Sequence, residues 1–245
     1  VSIQIGRLNP KQIYVIGGEA AVSTGVFQQL QGMVSNVQRI SGQTRYETAL
    51  ELFKLCHEKN PNSDTVIIAT GTNFADALSI SSYASYSGNP IVLCDPTNGV
   101  DSTALNLIQK YGYTKAIIVG GNNAVPVLVE KQLSKSGCVS INRLSGTTRY
   151  ETSIEIAKYG VKHGLSMNGA MYVTGKNYPD ALAAGPIAGS IASNLLLIDE
   201  EKVDERYLEN YKNKVTKAYV IGGENAVPYG AMASVANALN IEIHN

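Results

Sequence analysis

Short runs of apolar, largely β-branched residues alternate along this chain with longer segments in which apolar positions recur every three or four residues. In the middle of the chain the short runs cover 65–70, 90–95 and 115–120, and the longer segments cover 76–86, 103–111 and 126–136. Runs that are apolar almost throughout are typical of strands in a parallel sheet covered on both faces. The pattern predicts an α/β fold with doubly wound, Rossmann-like parallel sheets and right-handed crossovers.

The same alternation returns along the chain, together with three sequence landmarks. A strand ending in two glycines occurs at Gly17, Gly120 and Gly222, about 100 positions apart. Two longer segments return after a shift of 104 positions. They are Arg39-Ile-Ser-Gly-Gln-Thr-Arg-Tyr-Glu-Thr-Ala49 with Arg143-Leu-Ser-Gly-Thr-Thr-Arg-Tyr-Glu-Thr-Ser153, and Ala69-Thr-Gly-Thr-Asn-Phe-Ala-Asp-Ala-Leu78 with Val173-Thr-Gly-Lys-Asn-Tyr-Pro-Asp-Ala-Leu182. Landmarks that keep one order and one spacing indicate tandem structural repeats of about 104 residues.

These landmarks divide the chain into a leader, 1–38, and two complete units, 39–142 and 143–245. Shifted by one period, the leader matches only the last third of a unit. Either the chain is a piece of a longer array, or the leader packs on the edge of the first complete unit. We favour the first interpretation, in which 1–38 is the C-terminal part of a preceding repeat.

The repeated segments lie where strands pass into helices, and several of their residues are expected to cap helices. One pattern has the spacing of a capping box, in which a Thr hydroxyl and a Glu carboxylate each accept from a free amide. Another pairs an Asn cap with an acidic residue near the positive end of the helix dipole. The pairs are Thr44 with Glu47, Thr148 with Glu151, Asn73 with Asp76, and Asn177 with Asp180.

Composition excludes several classes of function. The chain is 44% apolar and 16% charged, as expected for a folded core, and its 20 basic residues balance 20 acidic ones. A nucleic-acid partner would favour a basic excess, and a membrane span would need about 18 consecutive apolar residues; the sequence has neither. No metal or disulfide framework is expected from the scattered cysteines and histidines. These are Cys56, Cys94, Cys138, His57, His163 and His244.

Catalytic motifs are also missing from the sequence. The strand-Gly-Gly turns lack the full spacing of a dinucleotide fingerprint, and there is no nucleophile elbow, zinc-protease motif or P-loop. Asp76 and Asp180 could be imagined as paired acids, but each recurs at the same position of its unit, where a cap explains it. We therefore expect no catalytic residue, no cofactor and no enzyme activity.

Four arginines within the repeated segment leave two interpretations open. Arg45 and Arg149 follow a capping Thr, where a positive charge is mildly unfavourable and needs compensation. They could stabilise the repeat through a salt bridge or a carbonyl contact, or present a fork to a ligand carboxylate or phosphate. Arg39 and Arg143 carry the same ambiguity. Exposed guanidinium groups near the Pro90 strand would support the ligand fork; groups held against main-chain carbonyls or against Glu47 and Glu151 would not.

The three motifs resemble the second type of cell-wall-binding repeat, found in S-layer and related surface proteins of Gram-positive bacteria. They read Arg-x-Ser-Gly-x-x-Arg-Tyr-Glu-Thr, Ala-Thr-Gly-x-Asn-Phe-x-Asp-Ala-Leu and Val-Gly-Gly-x-Asn-Ala-Val-Pro. The resemblance implies a secreted module, located in the cell wall or S-layer, that is usually present as three copies in a pseudo-trimer. It also implies non-covalent binding of an anionic secondary cell-wall polysaccharide, with neighbouring repeats and other S-layer subunits as further partners.

In that family a Pro-Ile-Leu-Leu strand start is associated with polymer binding. The first unit matches it with Pro90-Ile91-Val92-Leu93, whereas the second unit has Asn194-Leu195-Leu196-Leu197 and loses the proline. Tyr46 and Tyr150 are expected to be packing residues with solvated hydroxyls rather than sugar platforms. The candidate polysaccharide-binding residues are Arg39, Arg45, Tyr46, Pro90, Ile91, Val92, Leu93, Arg143, Arg149 and Tyr150.

Three hypotheses for the function follow. The leading one is a wall-anchoring module whose linked copies gain affinity through effective concentration. The second is an enzyme, either a wall hydrolase or a nucleotide-dependent α/β enzyme, which would need a converging set of catalytic groups. The third is a structural role in surface-layer assembly, which is compatible with the first.

Overall fold

A computed structural model describes residues 1–199 and 204–244. The leader contains α1 (Ser2–Leu8), β1 (Ile13–Ile16), α2 (Thr24–Met33) and β2 (Val37–Ile40). The first unit contains α3 (Arg45–Lys59), β3 (Thr65–Thr70), α4 (Ala75–Ser87), β4 (Ile91–Cys94), α5 (Ser102–Lys110), β5 (Lys115–Val119), α6 (Leu128–Lys135) and β6 (Ser140–Leu144). The second unit contains α7 (Arg149–Lys162), β7 (Ser166–Thr174), α8 (Pro179–Ser190), β8 (Ser193–Ile198), α9 (Glu205–Glu209), β9 (Ala218–Ile221) and α10 (Tyr229–Leu239).

The strands and helices predicted for the first unit are confirmed, with small shifts at their ends. The largest is at α6, which was expected from 126 and begins at Leu128. Pro126 and Val127 form the turn before it, in which the Pro126 carbonyl accepts a hydrogen bond from the Val129 amide (2.9 Å). Proline fits this turn because it has no amide hydrogen to satisfy.

The described strands form parallel sheets with the orders β1-β2, β4-β3-β5-β6 and β8-β7-β9. The strand that contains the first residue of each repeat motif pairs with the last strand of the preceding segment and forms the edge of that sheet. Arg39 of β2 lies opposite Val15 of β1, and Arg143 of β6 lies opposite Ile118 of β5. The sequence frame at 39 and 143 thus falls inside strands, and the division into three segments stays a prediction.

The central sheet is buried on both faces, which explains why its strands are apolar throughout. Neighbouring positions of β3 face opposite layers, because side chains alternate along a strand. Val66 and Ile68 pack in one cluster with Phe53, whereas Ile67 packs in another with Ile80. The predicted α/β class with doubly wound parallel sheets is therefore confirmed.

The two complete units pack together through equivalent helices, α4 and α8. Small side chains allow a close approach: a Cβ added at Gly189 would lie only 2.5 Å from the Ser82 carbonyl oxygen. Ser85 Oγ also donates to the Pro186 carbonyl oxygen across this interface (3.4 Å). The two units are therefore joined by a close contact between the backbones of α4 and α8, and moving either helix away would lose this packing.

Four apolar side chains on α8 and at its two ends remain about half exposed. Tyr178 at its N-cap, together with Leu182, Ile187 and Ile191, exposes between 49% and 55% of its surface. Large apolar residues in such a group usually mark a contact surface.

We expect Gly189→Ala to destabilise the chain, because the new methyl group meets the Ser82 carbonyl oxygen and the Cβ of Ser85, neither of which can move without shifting the backbone of α4. Overpacking of this kind typically lowers the free energy of unfolding by about 1–3 kcal/mol. The matched control is Gly230→Ala in α10, where an added Cβ meets nothing within 4 Å and helix propensity predicts no loss or a gain of up to about 1 kcal/mol. Urea unfolding of both variants measures the difference, and equal midpoints would contradict the tight helix contact.

Candidate functional site

The segment between β6 and α7 joins one sheet to the next unit, and its polar side chains form hydrogen bonds with main-chain amides within this connection. Thr148 Oγ1 accepts from the Glu151 amide (3.2 Å), as the capping-box spacing predicts. The Glu151 carboxylate, however, accepts from the amide of Thr147 (2.6 Å) rather than from that of Thr148 itself. Thr152 Oγ1 accepts from the Gly146 amide (3.0 Å), and the first unit repeats all three contacts. The Thr-Glu caps are therefore confirmed, with the carboxylate displaced by one residue.

All four arginines of the motif donate through Nη1 to main-chain carbonyls at the ends of strands. These carbonyls have left the sheet ladder and need a donor. Arg143 also pairs with Glu130 (2.9 Å between Nη2 and Oε1). The Nη1 contacts are Arg39 to Gly17 (2.6 Å), Arg45 to Gly71 (2.7 Å), Arg143 to Gly120 (2.8 Å) and Val125 (2.9 Å), and Arg149 to Gly175.

These contacts count against guanidinium forks beside the Pro90 strand: Arg45 is exposed, but none of the four arginines lines the cavity at that strand. The structure instead gives the arginines the stabilising role that the sequence had left open. The sequence offered a carbonyl contact as one interpretation but could not identify the carbonyl, because each accepting residue lies more than 15 positions away from its arginine. Any contact of these arginines with a ligand must use the N–H groups that remain.

The two motif tyrosines pack against glycines in the same joints. A Cβ at Gly71 would collide with the Tyr46 ring, and one at Gly175 would lie 2.5 Å from Cε1 of Tyr150. The Tyr46 hydroxyl faces Asp95, and partial burial followed by this carboxylate raises the pKa of Tyr46. Both tyrosines thus pack through their rings, and the Tyr46 hydroxyl lies beside the carboxylate that follows β4.

A cavity of about 600 Å³ opens at the carboxyl end of β4, beside the start of α3. Ligands of open α/β sheets commonly bind at this end of the strands. Tyr46, Val92 and Leu93 line it together, so three of the predicted residues share one site. Pro90 lies at the other end of β4, where it is buried and its carbonyl oxygen accepts from the Ile67 amide (2.9 Å). Ile91 is partly buried against the core and is likewise absent from the lining.

A second cavity, of about 490 Å³, occupies the equivalent place in the other unit, beside Tyr150. We call the two spaces the edge cavities. Both are rich in carboxylates, which sequence reasoning did not anticipate. The acidic residues are Glu47, Asp95 and Asp101 in the first, and Glu151, Asp199, Asp204 and Glu205 in the second.

The carboxylates of the first edge cavity are held by main-chain amides. Asp95 Oδ1 accepts from the amides of Thr97 (2.9 Å) and Asn98 (2.8 Å), and these bonds hold the pKa of Asp95 below its usual range. Asp101 Oδ1 accepts from the Thr103 amide (2.8 Å) at the start of α5. The cavity wall is therefore negatively charged at neutral pH, and its free oxygen lone pairs can accept from hydroxyl groups.

The strand that replaces Pro90–Leu93 in the second unit is a core strand. Asn194 is buried and donates through Nδ2 to the Ser166 carbonyl oxygen (3.1 Å). Leu195, Leu196 and Leu197 each expose 4% or less of their surface. The loss of the proline thus accompanies complete burial of this strand, and none of these residues lines the second edge cavity.

A third space, of about 470 Å³, lies between the two complete units. We call it the junction cleft; it is bounded by the turn after β5, the start of α4 and the linker 145–148. Arg149 holds its guanidinium carbon 5.7 Å from the centroid of the Phe74 ring. Asn73 Oδ1 accepts from the Ala75 amide (3.1 Å), but the structure gives the Asp76 carboxylate no such bond. The expectation that Asp76 caps α4 is therefore corrected.

Asp76 instead turns its carboxylate towards the Gly-Gly turn after β5. Gly120 has φ 111°, and a Cβ there would lie 2.6 Å from Asp76 Oδ2. Burial raises the pKa of Asp76, and the charge of Arg149 opposes that shift. The glycine is required both for its backbone conformation and for this close approach.

Within residues 1–199 and 204–244, no group of three or more His, Cys, Asp or Glu side chains could hold a metal ion. The same part of the chain contains no helix with both the length and the apolar character needed to cross a membrane.

Comparison with known proteins identifies this architecture. Residues 39–130 and 143–232 each match cell wall binding domain 2 (CWB2), and the chain belongs to this family. It is 32% identical over 202 residues to the amidase enhancer of Bacillus subtilis (strain 168), covering 81% of this chain and 27% of that protein. The chain is therefore a tandem cell-wall-binding module, and its family associates it with the cell wall.

Solved structures agree with this assignment. Cwp8 from Clostridium difficile matches with a TM-score of 0.81 at 30% identity, over 96% of this chain and 39% of that one. Cwp6 from the same organism matches with a TM-score of 0.85 at 25% identity, over 97% of this chain and 37% of that one. The chain spans between about a quarter and two fifths of the length of these relatives.

The cap at α7 generates a prediction about acid stability. The Thr147 amide holds the pKa of Glu151 below its usual range. A carboxyl whose pKa is lower in the folded state contributes stability above its unfolded pKa, about 4.3, and loses that contribution as the pH falls through the folded value. Glu151→Gln should therefore be less stable than the parent at pH 7, and the difference should shrink towards pH 3. Urea midpoints across this range measure it. Glu209→Gln, an exposed change at the C-terminal end of α9 where the side chain makes no capping bond, is the control. Parallel profiles for Glu151→Gln and the parent would contradict the cap's contribution.

Proposed function

We propose that this chain anchors a secreted surface protein to the cell wall non-covalently, by binding an anionic secondary wall polysaccharide. The observation that carries the proposal is the pair of edge cavities, which recur at the same place beside Tyr46 and Tyr150. Duplicated sites suit a repeating polymer, since linked weak sites gain affinity through effective concentration. The activities of the much longer relatives are no part of this proposal.

The chemistry of the edge cavities favours sugar hydroxyl groups as the groups recognised there. Carboxylates accept hydrogen bonds from hydroxyls, and Tyr46 and Leu93 add apolar surface to the first cavity. The same carboxylates disfavour a phosphate or carboxylate group of the polymer at this position. Neutral parts of the polymer are therefore assigned to these cavities.

A binding role is favoured over a hydrolytic one by the state of the acidic side chains. A general acid needs a carboxyl that is protonated near the working pH. Asp95 is driven the other way, because main-chain amides stabilise its ionised form. We therefore propose that the chain has no catalytic site of its own and requires no cofactor.

The exposed apolar side chains of α8 support a third unit as neighbour. Ile187 and Ile191 share one side of this helix, and the equivalent helix of another repeat would cover them. We propose that the segments 1–38, 39–142 and 143–245 belong to such a three-unit arrangement. The same surface supports the second candidate function, packing against other subunits of a surface layer.

A pull-down on purified cell walls tests the anchoring role. The chain is compared with a version extended to three complete repeats, on walls with and without their anionic polysaccharide. We expect retention that disappears with the polymer and increases with the third repeat. If neither version is retained, the anchoring proposal is wrong; if both are retained equally without the polymer, a different wall component is bound.

Blocking the first edge cavity should weaken retention. Thr103 lines the cavity and its side chain is exposed, so Thr103→Trp should fill the space without disturbing the core. Gln109→Trp is the control, because this exposed residue lies on the same helix but outside the cavity lining. We expect retention on walls to fall about tenfold, roughly 1.4 kcal/mol, for the first variant only. Equal retention of the two variants would remove the first edge cavity from the site.

A further inference from the structure

The junction cleft contains the positively polarised groups that the edge cavities lack. We infer that it is a binding subsite for a negatively charged sugar unit, carrying a phosphate or a carboxylate, and that it forms only where one repeat follows another. This inference rests on the proposed polysaccharide binding, and it assigns the polymer's charge to a place that the edge cavities do not provide.

The turn after β5 supplies a row of main-chain donors. The Gly120 amide is used by the Leu144 carbonyl oxygen (2.9 Å), and the amides of Ala124 and Val125 return to Gly121 (3.0 and 2.9 Å). Between them, the amides of 121, 122 and 123 donate to no acceptor in the described part of the chain. Successive free amides in a turn make a concave surface that attracts anions.

The other walls of the cleft come from the neighbouring unit and from the start of α4. Arg149 uses Nη1 on the Gly175 carbonyl oxygen, and its remaining N–H groups donate to no acceptor among the described residues. A guanidinium group with free donors is suited to phosphate and carboxylate. Asn73 adds a side-chain amide, and Thr147 and Thr148 add hydroxyl groups.

One carboxylate also lines the cleft, and its effect on a bound anion is limited. Asp76 is partly buried, and the charge of Arg149, which lines the same cleft, partly compensates that of its ionised form. Its remaining lone pairs can accept from a sugar hydroxyl, which explains why the cleft favours a charged sugar over a bare anion. The donors therefore hold the charged group, while Asp76 and Asn73 face the ring.

The three copies of the Gly-Gly turn differ at the position that matters most for charge. The residue two positions after the first glycine is Asn122 in this turn, but Glu19 in the leader and Glu224 in the second unit. The sister turns show that an acidic residue fits this position of the fold, whereas Asn122 leaves it neutral in the cleft that Arg149 also lines.

Because the other two Gly-Gly turns carry Glu at this position, replacing Asn122 by Glu should be compatible with the fold. Asn122→Glu installs the residue that both sister turns carry, and the Asn122 side chain is exposed and takes no hydrogen bond in the structure. The control is Asn225→Glu, which adds the same charge at an exposed position in the turn of the second unit, outside the lining of the junction cleft. Both variants change the net charge equally.

The experiment titrates isotopically labelled protein with glucose 6-phosphate, glucuronate and neutral glucose, and follows the main-chain amide signals by NMR. We expect the two charged sugars to shift the amide signals of 121–123 saturably, and glucose to leave them unchanged. Inorganic phosphate should bind more weakly than glucose 6-phosphate, because it makes no contact with Asn73 or Asp76. Asn122→Glu should weaken binding of the charged sugars at least about tenfold, because like charges oppose each other, and Asn225→Glu should not.

Saturable shifts confined to the edge cavities, no shifts with any probe, or equal affinities for Asn122→Glu and the parent would each overturn the inference. The same variants on cell walls separate it from the proposed function. Parent protein that is retained through the polymer, together with Asn122→Glu retained equally well, overturns the cleft assignment and leaves wall anchoring intact. If neither the parent protein nor its three-repeat version is retained, wall anchoring itself is overturned.

Discussion

The fold depends on a donor being supplied to the carbonyl groups that leave each parallel sheet at its carboxyl edge. A strand that ends in a glycine turn directs a main-chain carbonyl away from the ladder, and an unpaired carbonyl in a packed joint destabilises the fold. Arg143 supplies the donor for Gly120, and Arg149 supplies it for Gly175. The arginine that closes one sheet is the first residue of the next repeat motif. Consecutive units are therefore held together by hydrogen bonds as well as by packing.

Close packing between α4 and α8 continues this arrangement. The interface places glycine and serine residues opposite each other, so two helix backbones approach where larger side chains would separate them. The junction cleft lies beside this contact, between the start of α4 and the start of α7. Its shape therefore depends on how two units are joined, which distinguishes it from the edge cavities that each complete unit forms by itself.

The edge cavities and the junction cleft differ in electrostatic character, so they are suited to different groups of a charged polymer. The edge cavities carry carboxylates held in their ionised form by amides, and are suited to hydroxyl groups. The cleft carries free amides and a guanidinium group with one offset carboxylate, and is suited to an anion. A polymer with both kinds of group can use both kinds of site, and neither site alone matches it.

The sequence by itself determined the repeat, the α/β class, the order of elements and the helix caps at Thr44 and Thr148. These features follow from local periodicity and from contacts within about four residues, which a single sequence displays directly. Only the tertiary structure decided which carbonyl each arginine serves, that Asp95 and Asp101 line a cavity with Leu93, and that Asp76 lines a cleft with Arg149 instead of capping its helix. Those outcomes depend on groups brought together from distant parts of the chain. No spacing within a segment reveals them, because the fold brings the ends of parallel strands to one edge irrespective of their separation in sequence.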